Sequence, residues 1–258
     1  MSNRSRFFNS SNPFLTEDSF AKSAQQESSF PISERRTADP AFMTVSGAVN
    51  KSIIMGLILI ATAFFAAFTM NPALMFVGLI GGIIALLVTY FNPKIAYITA
   101  PLYAAFEGLL LGTISMAYAN IYEPGIVTNA VMLTMFALFV MLVLYRTGVL
   151  RATEKFRSIV MTATGAIAVM YLVNMGLSFF GMNIPYLHQM SPIGIIISLV
   201  IIAVAALNLI LDFDQFEKGE QYQAPKYMEW VSALGLLVTL VWLYLEILRL
   251  LSMFSSRD

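Results

Sequence analysis

The sequence predicts an all-α polytopic membrane protein, a bundle of seven transmembrane helices preceded by a disordered polar amino-terminal tail. Hydrophobic residues make up 58% of the 258-residue chain and charged residues only 12%, against roughly 25% charged in ordinary globular proteins. The apolar residues form successive runs, each long enough to cross a hydrocarbon core about 30 Å thick. These observations indicate a polytopic helical protein.

Seven apolar runs define the predicted spans, and proline or glycine stands in the breaks between them. Residues 1–45 mix Ser, Asn, Gln, Pro and both charge signs, so they bury too little apolar surface to fold alone. We expect them to be a disordered cytoplasmic tail without a cleavable signal peptide. The remaining chain, 46–258, is the transmembrane domain, with spans at 52–70, 73–90, 95–118, 126–145, 158–180, 192–211 and 228–251.

Small residues crowd the second and third spans. Their spacing allows helix backbones to approach closely in a membrane, so we expect helix contacts there and assign these residues no chemistry. They are Gly78, Gly81, Gly82, Ala104, Gly108 and Gly112.

The positive charges of the loops predict the orientation. Lysine and arginine occur in the tail and in every second loop, whereas the alternate loops 71–72, 119–125 and 181–191 contain neither. Because cytoplasmic loops are enriched in these residues, we expect the amino terminus in the cytoplasm and, after seven spans, the carboxy terminus outside. The stretch 206–219, ALNLILDFDQFEKG, then lies at the cytoplasmic face.

The composition argues against several functional classes. A net charge of zero gives no bulk attraction to nucleic acid, and the absence of cysteine excludes disulfides and thiolate sites. The single histidine, His188, lies in an outer loop without a second metal ligand beside it. Phosphate-loop and metalloprotease motifs are missing. We therefore expect no enzyme activity, no cofactor and no fixed metal ion.

Two carboxylates close the sixth span. Asp212 and Asp214 are spaced i, i+2 and so point to different sides of a helix, and Asn208 stands one turn earlier, where it can hydrogen-bond to Asp212. They are either interface anchors or parts of an ion site. A solvated helix end explains Asp214 better than Asp212, whose charge at a carboxy end would oppose the helix dipole.

Two further carboxylates lie inside predicted spans, where a charge costs on the order of 2.5–3.5 kcal/mol. Glu107 is near the middle of the third span, with no Lys or Arg within two turns. It either stays protonated in a local hydrogen bond or shares a proton or cation with another helix. Glu246 has Arg249 three residues later, and an ion pair that reaches toward the outer interface explains both residues.

Three stretches carry a family resemblance: LYAAFEGLLLGTIS at 102–115, LNLILDFDQFEKG at 207–219 and ALGLLVTLVWLYLEILRLL at 233–251. With them the chain resembles the Bax inhibitor-1 family, also called the transmembrane Bax inhibitor motif family, in its bacterial form. The resemblance covers all seven spans, and we expect the polar tail to have no counterpart in the core family. It implies a seven-helix fold with a central last helix, in the bacterial cytoplasmic (inner) membrane.

The resemblance also implies a pH-sensitive leak of calcium ions, gated by one aspartate on span six and another on span seven. Asp212 matches the first aspartate, but the alignment puts Thr239 at the second, and a hydroxyl cannot share a proton as a carboxylate does. Glu246, roughly 10 Å along the same face of the helix, Asp214 or Glu107 would then replace the missing partner.

We therefore predict a slow, proton-modulated cation leak whose partners are the lipid bilayer, calcium ions and protons. Hard cations prefer oxygen ligands, so Asp212 is expected to gate the ion path and to bind calcium only transiently. The alternative is a non-conducting regulatory protein that binds and modulates a membrane quality-control protease or another membrane partner. The candidate residues are Asp212, Asp214, Glu107, Thr239 and Glu246 in the path, with Asn208 and Arg249 in support.

Overall fold

The structure is a computed structural model that describes residues 42–123, 125–178, 180–181 and 191–255. Seven α-helices cover most of these residues, and each is long and apolar enough to cross a membrane. The predicted all-α membrane fold is thereby confirmed. In chain order the helices are α1 (Val45–Thr69), α2 (Ala73–Phe91), α3 (Ala96–Ile121), α4 (Ile126–Arg146), α5 (Glu154–Ser178), α6 (Pro192–Gln221) and α7 (Met228–Ser255).

Helix α6 is longer than its apolar run. The predicted span ended at 211, but the helix continues to Gln221, so Asp212 and Asp214 lie inside it. The argument that Asp212 opposes the dipole at a helix end was therefore wrong, because the dipole effect is confined to the last turn. Hydropathy marks where the side chains stop being apolar, whereas the backbone hydrogen bonds of a helix continue through its polar turns.

The helical domain also begins earlier than predicted. Residues 1–41 of the expected tail lie outside the described residues, as do 182–190, which include His188. Residues 42–45 belong to the fold: Met43 is buried, and the hydroxyl of Thr44 accepts a 2.9 Å hydrogen bond from the backbone N–H of Gly47. Thr44 is thus the N-cap of α1, a position that threonine favours.

The helices divide into two compact units. The first comprises Met1–Gly112, described from residue 42, and Asp212–Leu237. It contains α1, α2, most of α3, the last turns of α6 and the first turns of α7. The second comprises Thr113–Leu211 and Val238–Asp258 and contains the remaining helical segments.

Glycines bring the helices of the first unit together, as their spacing predicted. A Cβ atom on Gly108 would lie 1.9 Å from Thr62 Oγ1, and one on Gly112 would lie 2.2 Å from the carbonyl oxygen of Ala63. Gly78 of α2 is equally close to α3, since its Cβ would lie 2.6 Å from the carbonyl oxygen of Phe106. These contacts leave no room for a larger side chain.

Helix α7 is the most buried of the seven helices found in the described part of the chain. In its most apolar window 72% of the residues are buried, against 11% for α1 and for α5. The polar residues of α7 therefore require partners within the protein, because a buried polar group without a hydrogen bond is costly.

Candidate ion site

The aspartates of α6 have different environments, as their i, i+2 spacing requires. Asp212 is buried, with 4% of its surface exposed. Asp214 is partly exposed, and its Oδ2 lies 3.3 Å from Nζ of Lys218, one turn further along the helix. Asp214 therefore belongs to an ordinary helical ion pair, and Asp212 is the carboxylate that the fold encloses.

Glu107 stands on α3 in the same unit. The hydroxyl of Tyr103, one turn earlier, hydrogen-bonds to its carboxylate. Its second oxygen, Oε2, is buried and has no hydrogen-bond partner among the described residues. Gly82 of α2 faces the first oxygen, since a Cβ on that glycine would lie 3.2 Å from Oε1. No Lys or Arg of the described ranges forms an ion pair with Glu107. The carboxylate therefore has a hydrogen bond from one phenol and no cationic partner there.

Asn208 does not donate to Asp212. Its amide nitrogen Nδ2 donates to Thr164 Oγ1 at 2.8 Å and to the carbonyl oxygen of Val204 at 2.9 Å. A primary amide has two N–H groups, and both are used by these two bonds. The predicted hydrogen bond to Asp212 is therefore replaced by a bond between α6 and α5 in the second unit.

Thr239 lies on α7 in the second unit and is buried, with 8% of its surface exposed. Its part in an ion path stays a prediction.

The predicted ion pair between Glu246 and Arg249 is present, with Arg249 Nη1 3.5 Å from Glu246 Oε2. The side chains of Glu246 and Arg249 are only 6% and 13% exposed, so the pair is enclosed by protein; its position near the outer interface stays a prediction. Tyr171 of α5 lies between them: its hydroxyl donates to Glu246 and accepts from Arg249. Arg249 also donates to Ser198 Oγ of α6 at 2.9 Å. This cluster therefore joins three helices of the second unit.

A third buried carboxylate, Glu229, was not predicted from the sequence. It stands in the first turn of α7 with 2% of its surface exposed, and its Oε2 lies 2.9 Å from Nζ of Lys51 on α1. Its Oε1 accepts from the backbone N–H and the hydroxyl of Thr44, at 3.1 and 3.2 Å. Acidic residues are common in the first turn of solvated helices, where they favour the helix dipole. The position of Glu229 in the sequence therefore did not predict that it is buried.

The sequence model of one family, described as Bax inhibitor 1 like, matches residues 12–256. The chain belongs to this family. No curated protein matches it significantly. The match of the Bax inhibitor 1 like family begins at residue 12, well within the tail, so the expectation that the tail has no family counterpart was wrong.

Membership of the Bax inhibitor 1 like family agrees with the seven membrane-spanning helices. In this family member the glutamates of α3 and α7 fall into two kinds. Glu229 and Glu246 have cationic partners at 2.9 and 3.5 Å. Glu107 has a phenol instead. Only a carboxylate of the second kind can take up a cation without first losing an ion pair.

Proposed function

We propose that this Bax inhibitor 1 like protein is a pH-sensitive calcium (cation) leak of the bacterial cytoplasmic membrane, with its amino terminus in the cytoplasm. The observation that carries the proposal is Glu107, whose buried Oε2 has no hydrogen-bond partner in the described ranges. A charge in the middle of a membrane helix is costly. Glu107 therefore favours states in which a proton or a cation neutralises it.

Asp212 is the second carboxylate of the proposed path. It lies in the same compact unit as Glu107 and is buried, and it matches the family position to which the resemblance assigned the gate. Carboxylate oxygens are the ligands that calcium prefers. A proton on either residue removes one such ligand, which supports a leak that responds to pH.

The other candidate residues have weaker claims. Glu246 is compensated by Arg249 and bound by Tyr171, so we leave it out of the path. Asp214 is paired with Lys218 and would act only as an outer ligand. Thr239 would contribute a hydroxyl oxygen.

The test is calcium flux into liposomes that contain the purified protein, with Glu107→Gln and Asp212→Asn combined. Both amides keep the shape of the side chain and cannot carry a negative charge. We expect the flux to fall at least tenfold. The matched control is Glu154→Gln, which removes an exposed carboxylate from the first turn of α5 and should leave the flux unchanged. A double variant that conducts like the wild type would contradict the proposal.

A second candidate function is favoured by the family match that begins at residue 12. On this alternative the protein conducts nothing and uses its tail to bind and modulate a membrane-bound quality-control protease. Deleting residues 1–41 separates the two functions, because it removes most of the tail and keeps every residue that the structure describes. A leak survives the deletion, whereas a partner interaction through the tail is lost.

A further inference from the structure

The segment before α1 is bound to the loop between α6 and α7. Phe42 and Pro225 form an antiparallel β-bridge, and the backbone N–H of Met43 donates to the carbonyl oxygen of Ala224 at 2.6 Å. The side chain of Met43 is 1% exposed and lies against Ser232 of α7. Residues 42–44 are therefore packed as part of the first unit, at the point where the tail enters it.

The carboxylate of Glu229 lies at the centre of this contact. Besides Lys51 and Thr44, it contacts Gly47, where a Cβ atom would lie 1.9 Å from Oε1. Lys51 Nζ also stands 5.7 Å from the ring centroid of Trp230, within the range of a cation–π contact. Lys51 is thus the cation that compensates the charge of the buried Glu229 carboxylate.

The same contact reaches the end of α6. The backbone N–H of Val45 donates to Glu220 Oε1 at 3.3 Å. The backbone N–H of Ala224 donates a 2.9 Å hydrogen bond to the carbonyl oxygen of Gly219, so the loop folds back on the last turn of α6. Moving residues 42–44 would therefore move the helix end that follows Asp212.

We propose that the pair Lys51–Glu229 is a positioning latch: it holds residues 42–44 on the loop 222–227 and thereby fixes the last turns of α6, which follow Asp212. The effect on the leak rests on the proposed function; the latch itself does not. Loss of Lys51 leaves Glu229 buried without its cation, a state that is strongly disfavoured. The contact with residues 42–44 then opens.

Disulfide trapping measures the latch directly, because the chain has no cysteine of its own. Residues directly opposed in an antiparallel pair have Cα atoms about 4.5–5.5 Å apart, within the range of a disulfide. In the variant Phe42→Cys/Pro225→Cys, oxidation should be rapid. Adding Lys51→Met should slow it at least tenfold, whereas Lys94→Met, at an exposed lysine of the same unit, should not. Lys51→Arg keeps the cation beside Glu229 and should retain the wild-type rate, which separates loss of the charge from a general effect of substitution at this position.

Calcium flux through the same proteins tests the coupling. We expect Lys51→Met to change the flux at least threefold, the oxidised cysteine pair to restore the wild-type rate, and reduction to remove that rescue. An unchanged rate of disulfide formation in Lys51→Met would overturn the latch. A slowed rate with wild-type flux would overturn the coupling to α6. Absence of flux in the wild-type protein would overturn the proposed function and the coupling together, and disulfide trapping would still decide the latch.

Discussion

Gly47 lies directly against the carboxylate of Glu229: a Cβ atom on the glycine would stand 1.9 Å from Oε1 and 2.2 Å from Cδ. Gly47→Ala should therefore push the carboxylate away from Lys51 and destabilise the protein by about 1–3 kcal/mol, the usual cost of overpacking. The control is Gly56→Ala on the same helix, where a Cβ meets nothing within 4 Å. That change should be neutral or stabilise by up to about 1 kcal/mol through helix propensity. Unfolding of both purified variants measures the difference; equal stabilities would contradict the contact.

A second glycine tests the packing of α3 on α1. Gly112→Ala places a Cβ 2.2 Å from the carbonyl oxygen of Ala63, a backbone atom that cannot rotate away. We expect a loss of about 1–3 kcal/mol or more, because one helix must shift. Gly165→Ala, whose Cβ would meet nothing within 4 Å, is the matched control and should retain wild-type stability. Thermal unfolding in detergent distinguishes them, and a stable Gly112→Ala protein would argue against the close approach.

The cluster around Glu246 should behave as one unit. Glu246→Met leaves Arg249 buried without its anion, which typically costs about 3–5 kcal/mol. Replacing both residues by methionine removes both charges and should cost less than the single change. Tyr171→Phe removes the hydroxyl between them and should cost about 1.5–3 kcal/mol, as for hydrogen bonds to charged groups. A double-mutant cycle by chemical unfolding gives the coupling energy, and strict additivity would contradict the cluster.

The hydrogen bond between Asn208 and Thr164 should contribute less to stability than the cluster around Glu246. Thr164→Val removes the acceptor of a 2.8 Å hydrogen bond and leaves one amide N–H without it, which should cost about 1–3 kcal/mol. Thr162→Val, at an exposed position of the same helix, is the control and should change stability by less than about 0.5 kcal/mol. Equal free energies of unfolding for the two variants would contradict a stabilising hydrogen bond from Asn208 to Thr164.

The fold class and the number of spans followed from the sequence because apolar runs and breakers act locally. Helix ends were less predictable, since the last turns of α6 are rich in charged residues, yet the helix continues to Gln221 and buries Phe213 and Phe216. The partners of buried polar groups were the least predictable. Thr164 is 44 residues from Asn208, and Thr44 is 185 residues from Glu229, so these pairs exist only once the helices have packed. The pair Glu246–Arg249 was predictable because it lies within one helix turn.

The most direct test of the proposed leak is calcium flux into liposomes between about pH 5 and pH 8, measured for the wild type beside Asp212→Asn. The amide cannot ionise between these pH values, so the substitution isolates one buried carboxylate of α6. We predict a flux that depends on pH in the wild type and a different pH dependence in the variant. A wild-type flux that equals empty liposomes at every pH, or a variant profile that overlies the wild type, would contradict the assignment of Asp212 as the gate.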